Sequence, residues 1–91
     1  MAGRGIDKQD VIGERLARTR SALNFTQSEF ATGAGIGKST LNQWESGTQR
    51  PSLDEAAKLV ASYSLTLDWI YRGEPAGLPH EVASKVLASA A

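Results

Sequence analysis

Apolar positions along this chain recur at spacings of three and four residues, and no stretch alternates with period two long enough to build a sheet. The pattern predicts a succession of short helices. Ile12, Leu16 and Leu23 fall on one face of a first helix over 11–23, with Arg15, Arg18 and Arg20 set among them. Thr26-Gln27-Ser28-Glu29 is a capping box that opens a second helix, with Phe30 and Ala31 inward. It ends near 33–35, where glycines permit the positive φ of a turn. A third helix is expected over 38–45, with Gly37 as N-cap, Ile36 and Leu41 as a hydrophobic staple, Leu41 and Trp44 on one face, and Gly47 as terminator. Residues 48–51 read as a loop. Ser52-Leu53-Asp54-Glu55 is a second capping box, opening a fourth helix to about 62 with Leu53, Ala56, Leu59, Val60 and Tyr63 as its apolar stripe. Leu65 and Ile70 staple a short fifth helix over 67–71, capped by Thr66 and ended by Gly73. Residues 74–79 are punctuation. Pro79 with the spaced Val82, Val86 and Leu87 predicts a final weak helix, with packing on the body, pairing with a second subunit and fraying all open to it.

The second and third helices carry a further pattern. Two helices that cross steeply as one rigid piece need a small residue where they touch, a turn residue that tolerates an unusual backbone, and apolar residues at fixed points beneath. Counting from Gln27 as first, Phe30 is fourth, Ala31 fifth, Ala34 eighth, Gly35 ninth, Ile36 tenth, Leu41 fifteenth and Trp44 eighteenth. Every constrained position of a helix-turn-helix is filled by a permitted residue. Phe30, Trp44 and Trp69 fall inward, as core rather than as base-stacking platforms. Of the alternating Gly33, Gly35 and Gly37, only Gly35 is explained by the motif. Gly33 is expected to weaken the second helix, and Gly37 caps the third less well than Ser or Thr, so a loosened reading head is expected in the free protein.

Ninety-one residues suffice for one domain and not for two. The chain has no cysteine, which removes disulfides and thiolate metal sites, and its one histidine, His80, cannot build a metal site alone. No apolar run approaches the roughly 20 residues of a membrane span. Met1-Ala2-Gly3-Arg4-Gly5 leads into polar residues rather than an apolar signal core, so a cytoplasmic protein is expected. The formal net charge is zero, which by itself argues mildly against a nucleic-acid partner. The distribution changes that picture. Residues 12–50 hold five bases (Arg15, Arg18, Arg20, Lys38, Arg50) against three acids, and residues 51–91 hold three bases against five acids. The basic half is the half with the motif.

Gly35-Ile36-Gly37-Lys38-Ser39-Thr40 superficially resembles a phosphate-binding loop, but the first glycine of G-x-x-x-x-G-K-[ST] would fall at 32, which is Thr32. Such a loop also follows a strand, and a capped helix precedes it here. No Ser/His/Asp set or carboxylate pair suggests other catalysis, so an enzyme is not expected.

The stretch 12–73 resembles the Cro/CI-type (Xre-type) helix-turn-helix family of phage and bacterial regulators. The markers are TQSEFATGAGIGKSTLNQWESG, RPSLDEAAKLV and SLTLDWIYRGEP. The resemblance implies an all-α, five-helix lambda-repressor-like bundle, followed here by the weak C-terminal helix. It divides the chain into a polar arm (1–10), a DNA-binding domain (11–73), and a linker with the last helix (74–91). It implies a cytoplasmic, nucleoid-associated regulator, most often a repressor, that binds a palindromic operator in double-stranded DNA as a homodimer, without a cofactor, a metal or a membrane. The third helix would enter the major groove N-terminal end first, with Lys38, Ser39, Asn42 and Gln43 against base edges. Gln27, Thr40, Ser46 and Arg50 would contact phosphates, and Arg20 and Glu45 would form a partly buried ion pair that orients the reading helix. Arg15 and Arg18 are open between phosphate contact and surface solubility. The alternative function is an antitoxin or interaction adaptor on the same fold, engaging a protein partner through the C-terminal region.

Overall fold

Six helices follow in chain order: α1 (Gln9–Ala22), α2 (Gln27–Ala34), α3 (Lys38–Glu45), α4 (Leu53–Tyr63), α5 (Leu67–Arg72) and α6 (His80–Ala90). They come from a computed structural model that describes residues 5–90 and contains no strand among them. The outer part of the polar arm, residues 1–4, and Ala91 lie outside the described residues. Helix α1 is the central strut, with α3, α5 and α6 packed on it, while α4 joins α2 to α5. One core runs through all six helices. Ile12, Leu16, Phe30, Leu41, Ala56, Leu59 and Ile70 are fully buried in it.

Local chemistry sets most of the boundaries. Thr26 Oγ1 accepts from Glu29 N at 3.1 Å and Glu29 Oε1 accepts from Thr26 N at 2.9 Å, the reciprocal box that starts α2. Gly35 ends α2 in the left-handed region at φ 74°. Ser52 and Thr66 cap α4 and α5 by accepting from Glu55 N and Trp69 N. At Ser52 the reciprocal half of the box is replaced by a long bond, 3.5 Å, from its hydroxyl to the Glu55 carboxylate. Helix α1 starts two residues earlier than periodicity predicts. Gln9 Nε2 donates to Gly47 O at 2.8 Å, so the extra residues are held by a contact 38 positions away.

Two apolar positions, Leu53 and Leu87, behave differently from the sequence pattern. Leu53 is 62% exposed although it continues the stripe of α4, because it occupies the first helical position, where no neighbouring element covers it. The predicted weak last helix packs on the body: Leu78 and Val86 are buried in the common core. Its Leu87 points away from that core and is 45% exposed. The polar arm is also held, since Asp7 N donates to Tyr71 O at 2.8 Å.

Gly33 has a packing reason that the sequence does not display. The Tyr63 ring stacks on Phe30 with centroids 4.4 Å apart, and its hydroxyl donates to Phe30 O at 2.7 Å. A Cβ on Gly33 would lie 2.3 Å from the Tyr63 hydroxyl. Gly33→Ala is therefore expected to cost about 1 kcal/mol, despite a helix-propensity gain of similar size, by displacing that hydroxyl. In a Tyr63→Phe background the same substitution is expected to be neutral or stabilising. Urea denaturation of the four proteins checks this, and equal effects in both backgrounds would contradict it.

Candidate nucleic-acid interface

Helix α3 is seated by small residues beneath it and by apolar anchors on its own inner face. Leu41 and Trp44 are buried, and Ala31 and Ala34 let α2 approach closely. From the other side α1 comes so near that a Cβ on Gly13 would stand 2.0 Å from the Trp44 carbonyl oxygen. Wedged between α1 and α2, α3 turns its opposite face to solvent: Lys38, Ser39, Asn42 and Gln43 are all exposed there. The side chains of Lys38, Ser39 and Gln43 make no hydrogen bond or ion pair among the described residues, so their donors and acceptors are available to a ligand.

A polar network braces α3 at its C-terminal end. Arg20 donates from Nε to Glu45 Oε2 at 2.8 Å and from Nη2 to Glu45 Oε1 at 3.1 Å, while its Nη1 holds Phe25 O at 2.9 Å. The two side chains retain 20% and 6% of their exposure. Gln27 joins the network through Nε2, which donates to Glu45 Oε1 at 2.8 Å, and its Oε1 accepts from Asn42 Nδ2 at 3.3 Å. Four sequence-predicted site residues on three helices are thus linked into one chain of bonds.

The remaining candidates are more dispersed. Thr40 is half-buried at the first turn of α3. Ser46 spends its hydroxyl on Gln43 O at 3.1 Å and lies 3.1 Å from Thr48 Oγ1, closing the end of the helix. Arg50 is exposed, but its Nη1 donates to Asp7 O at 3.0 Å, which ties it to the arm. The Arg50 charge also lies near Tyr71, whose hydroxyl donates to Pro51 O at 2.8 Å. Burial pushes that hydroxyl above its ordinary value, and Arg50 pulls it part of the way back.

Arg15 is not left as a surface charge. It is ion-paired with Asp7, donates to Ile70 O at 2.9 Å, and lies over the Trp69 ring, with its side chain 14% exposed. Arg18 is exposed and pairs with Glu14 one turn away. Of the five bases in 12–50, two therefore serve largely buried pairs and a third an exposed one. Sequence reasoning missed Gln9 and Gly13, which set the position of α3. A glycine inside an apolar-periodic helix was the available signal for Gly13, because it weakens the helix unless something approaches closely. Gln9 gave no signal.

Residues 35–40 form the turn and the first residues of α3, preceded by helix α2 rather than by a strand. They have neither the spacing nor the setting of a phosphate loop. No helix among the described residues is long and apolar enough to cross a membrane.

Comparison with known proteins agrees with this geometry. A family model described as Helix-turn-helix matches residues 15–70, more than half of the chain. The cryptic phage CTXphi transcriptional repressor RstR of Vibrio cholerae is 26% identical over 76 residues, 84% of this chain and 68% of that protein. Its counterpart from V. cholerae serotype O1 is 33% identical over 57 residues, 63% of this chain and 51% of that protein. The HTH-type transcriptional activator BcrR of Enterococcus faecalis is 28% identical over 63 residues, 69% of this chain and 31% of that protein. The chain thus spans about two thirds, half and a third of these relatives. No solved structure matches. The architecture, the matched span and the relatives agree on a regulator rather than an enzyme, and the chain belongs to the Cro/CI-type (Xre-type) helix-turn-helix family of DNA-binding transcriptional regulators.

Proposed function

We propose that this chain is a cytoplasmic repressor that binds a palindromic operator as a homodimer, with residues 11–73 as the DNA-reading unit. The observation that carries the reading is the outer face of α3, where Lys38, Ser39 and Gln43 stand exposed and unspent above a fully anchored helix. In this reading Lys38 donates to guanine O6 or N7, Gln43 and Asn42 address adenine, and Ser39 suits several bases. Gln27, Thr40 and Arg50 contact phosphates with donors their internal bonds leave free, and Ser46 does so by turning its hydroxyl from Gln43 O to the phosphate. A two-fold dimer would present its reading helices to half-sites about 34 Å apart. The two RstR relatives support repression, and BcrR is named an activator, so the direction of regulation is part of the proposal.

Lys38→Ala and Gln43→Ala are each expected to cost roughly 1–2 kcal/mol of specific binding and to relax preference at one base pair. Arg50→Ala is expected to weaken all sequences alike and to flatten the salt dependence by about one phosphate equivalent per subunit. Fluorescence anisotropy at two salt concentrations, on duplexes from around the protein's own gene and on random DNA, measures both effects. Normal operator binding by both α3 variants would refute this placement of the reading helix. Weak and equal binding of every duplex by the unaltered protein would refute sequence-specific repression. It would favour the partner-binding alternative, to which exposed Val11 and Leu87, beside one groove between α1 and α6, lend some surface.

A further inference from the structure

The Gln27 amide lies between a carboxylate and a second amide, and that order decides which way each amide faces. A carboxylate oxygen only accepts hydrogen bonds, so the Gln27 atom 2.8 Å from Glu45 Oε1 must be its nitrogen. The Gln27 oxygen then faces Asn42, 3.3 Å from Nδ2. An inverted Asn42 would set two acceptors against each other. Glu45 is the fixed end of this series, because Arg20 holds both of its oxygens and its side chain is almost wholly buried. Asn42 is left with its carbonyl oxygen and one N–H unspent on the exposed face of α3. That acceptor and donor match the N6 and N7 edge of adenine, and a flipped amide in the same place would present them in the wrong order.

We propose that Glu45 and Gln27 form a hydrogen-bonded relay that locks the orientation of the Asn42 amide and so makes adenine the base read at its step. Gln27 is a positioning residue here as well as a phosphate contact, since its second N–H remains available. The relay rests on the reading of α3 as the recognition helix. Its distinguishing consequence is local. A lost phosphate contact weakens all sequences together, whereas a lost relay changes the preference at one base pair.

The test is selection of bound sequences from a random duplex pool, using the full chain and the variants Asn42→Ala, Gln43→Ala, Gln27→Met and Glu45→Gln. Gln27→Met keeps an unbranched side chain of similar length and leaves the Arg20–Glu45 pair intact. The unaltered chain is expected to prefer adenine about tenfold at one step per half-site, a preference that Asn42→Ala abolishes. Gln27→Met should reduce that same preference to about twofold while the step that depends on Gln43 keeps its own, which certifies that α3 is folded and docked. Glu45→Gln, which gives Gln27 a partner able both to donate and to accept, should produce the same local loss. The relay is overturned if Gln27→Met retains the full adenine preference, if it flattens every step alike, or if the step lost in Asn42→Ala is not adenine. Enrichment of no sequence by the unaltered chain would refute the recognition helix itself, and the relay with it.

Discussion

Gly13→Ala is expected to destabilise the protein by about 2–3 kcal/mol and to lower its melting temperature by roughly 10–20 °C. Helix propensity alone forecasts the opposite, because alanine inside a helix is favoured over glycine by about 1 kcal/mol. Packing overrides it. The added Cβ would stand 2.0 Å from the Trp44 carbonyl oxygen and 3.1 Å from that of Glu45, and both obstacles are backbone atoms that no rotamer change can move. Either α1 or α3 must shift, and α3 carries the reading face. Operator affinity should therefore fall even at temperatures where the variant is still folded. Ala17→Gly, elsewhere on α1, is a contrasting control, with a loss of about 0.5–1 kcal/mol from propensity alone. Circular dichroism melting of the three proteins decides the matter. A Gly13→Ala variant as stable as the parent would mean that α1 does not approach α3 this closely.

Glu45→Ala should cost about 2–3 kcal/mol. Removing one member of a buried ion pair typically costs 3–5 kcal/mol because the other is left without a partner. The lower range applies here, since the Arg20 side chain keeps 20% of its exposure and can be partly rehydrated. The loss has more than one component: Arg20 loses both carboxylate bonds, and Gln27 loses its acceptor. Replacing the pair with apolar side chains, Arg20→Met with Glu45→Leu, should recover much of the stability. It should not recover the adenine preference at the Asn42 step, because Gln27 still has no carboxylate to face. Chemical denaturation and anisotropy on the unaltered chain, Glu45→Ala and the double variant separate the two roles. If the double variant regains that preference along with stability, the network is only structural.

How much was legible in advance differs between the two sides of the α2–α3 unit. Thr26, Glu29, Gly35, Leu41 and Trp44 act through bonds or contacts a few residues away, or through a helical face, and each leaves a mark in the local pattern. The exposed face of α3 follows from the inward one. The roles of Gly33, Gln9 and Arg15 were not readable, because each is defined by a partner remote in sequence: the Tyr63 hydroxyl, the Gly47 carbonyl, and the Ile70 carbonyl. Leu53 shows the converse error. Its spacing is right for the core, but burial requires something on the other side.

By itself, then, the sequence determined the helical architecture, the caps and turns, the helix-turn-helix register, and the residues that α3 turns outward. These depend on backbone hydrogen bonding, glycine geometry and apolar periodicity, which are interactions of short range along the chain. Only the tertiary structure decided how closely α1 seats α3, that α6 docks on the body, that Arg15 is consumed internally, and that Glu45, Gln27 and Asn42 stand in one line. Those features depend on distances between helices, set when side chains from all six fill a common core, and no single segment contains that information.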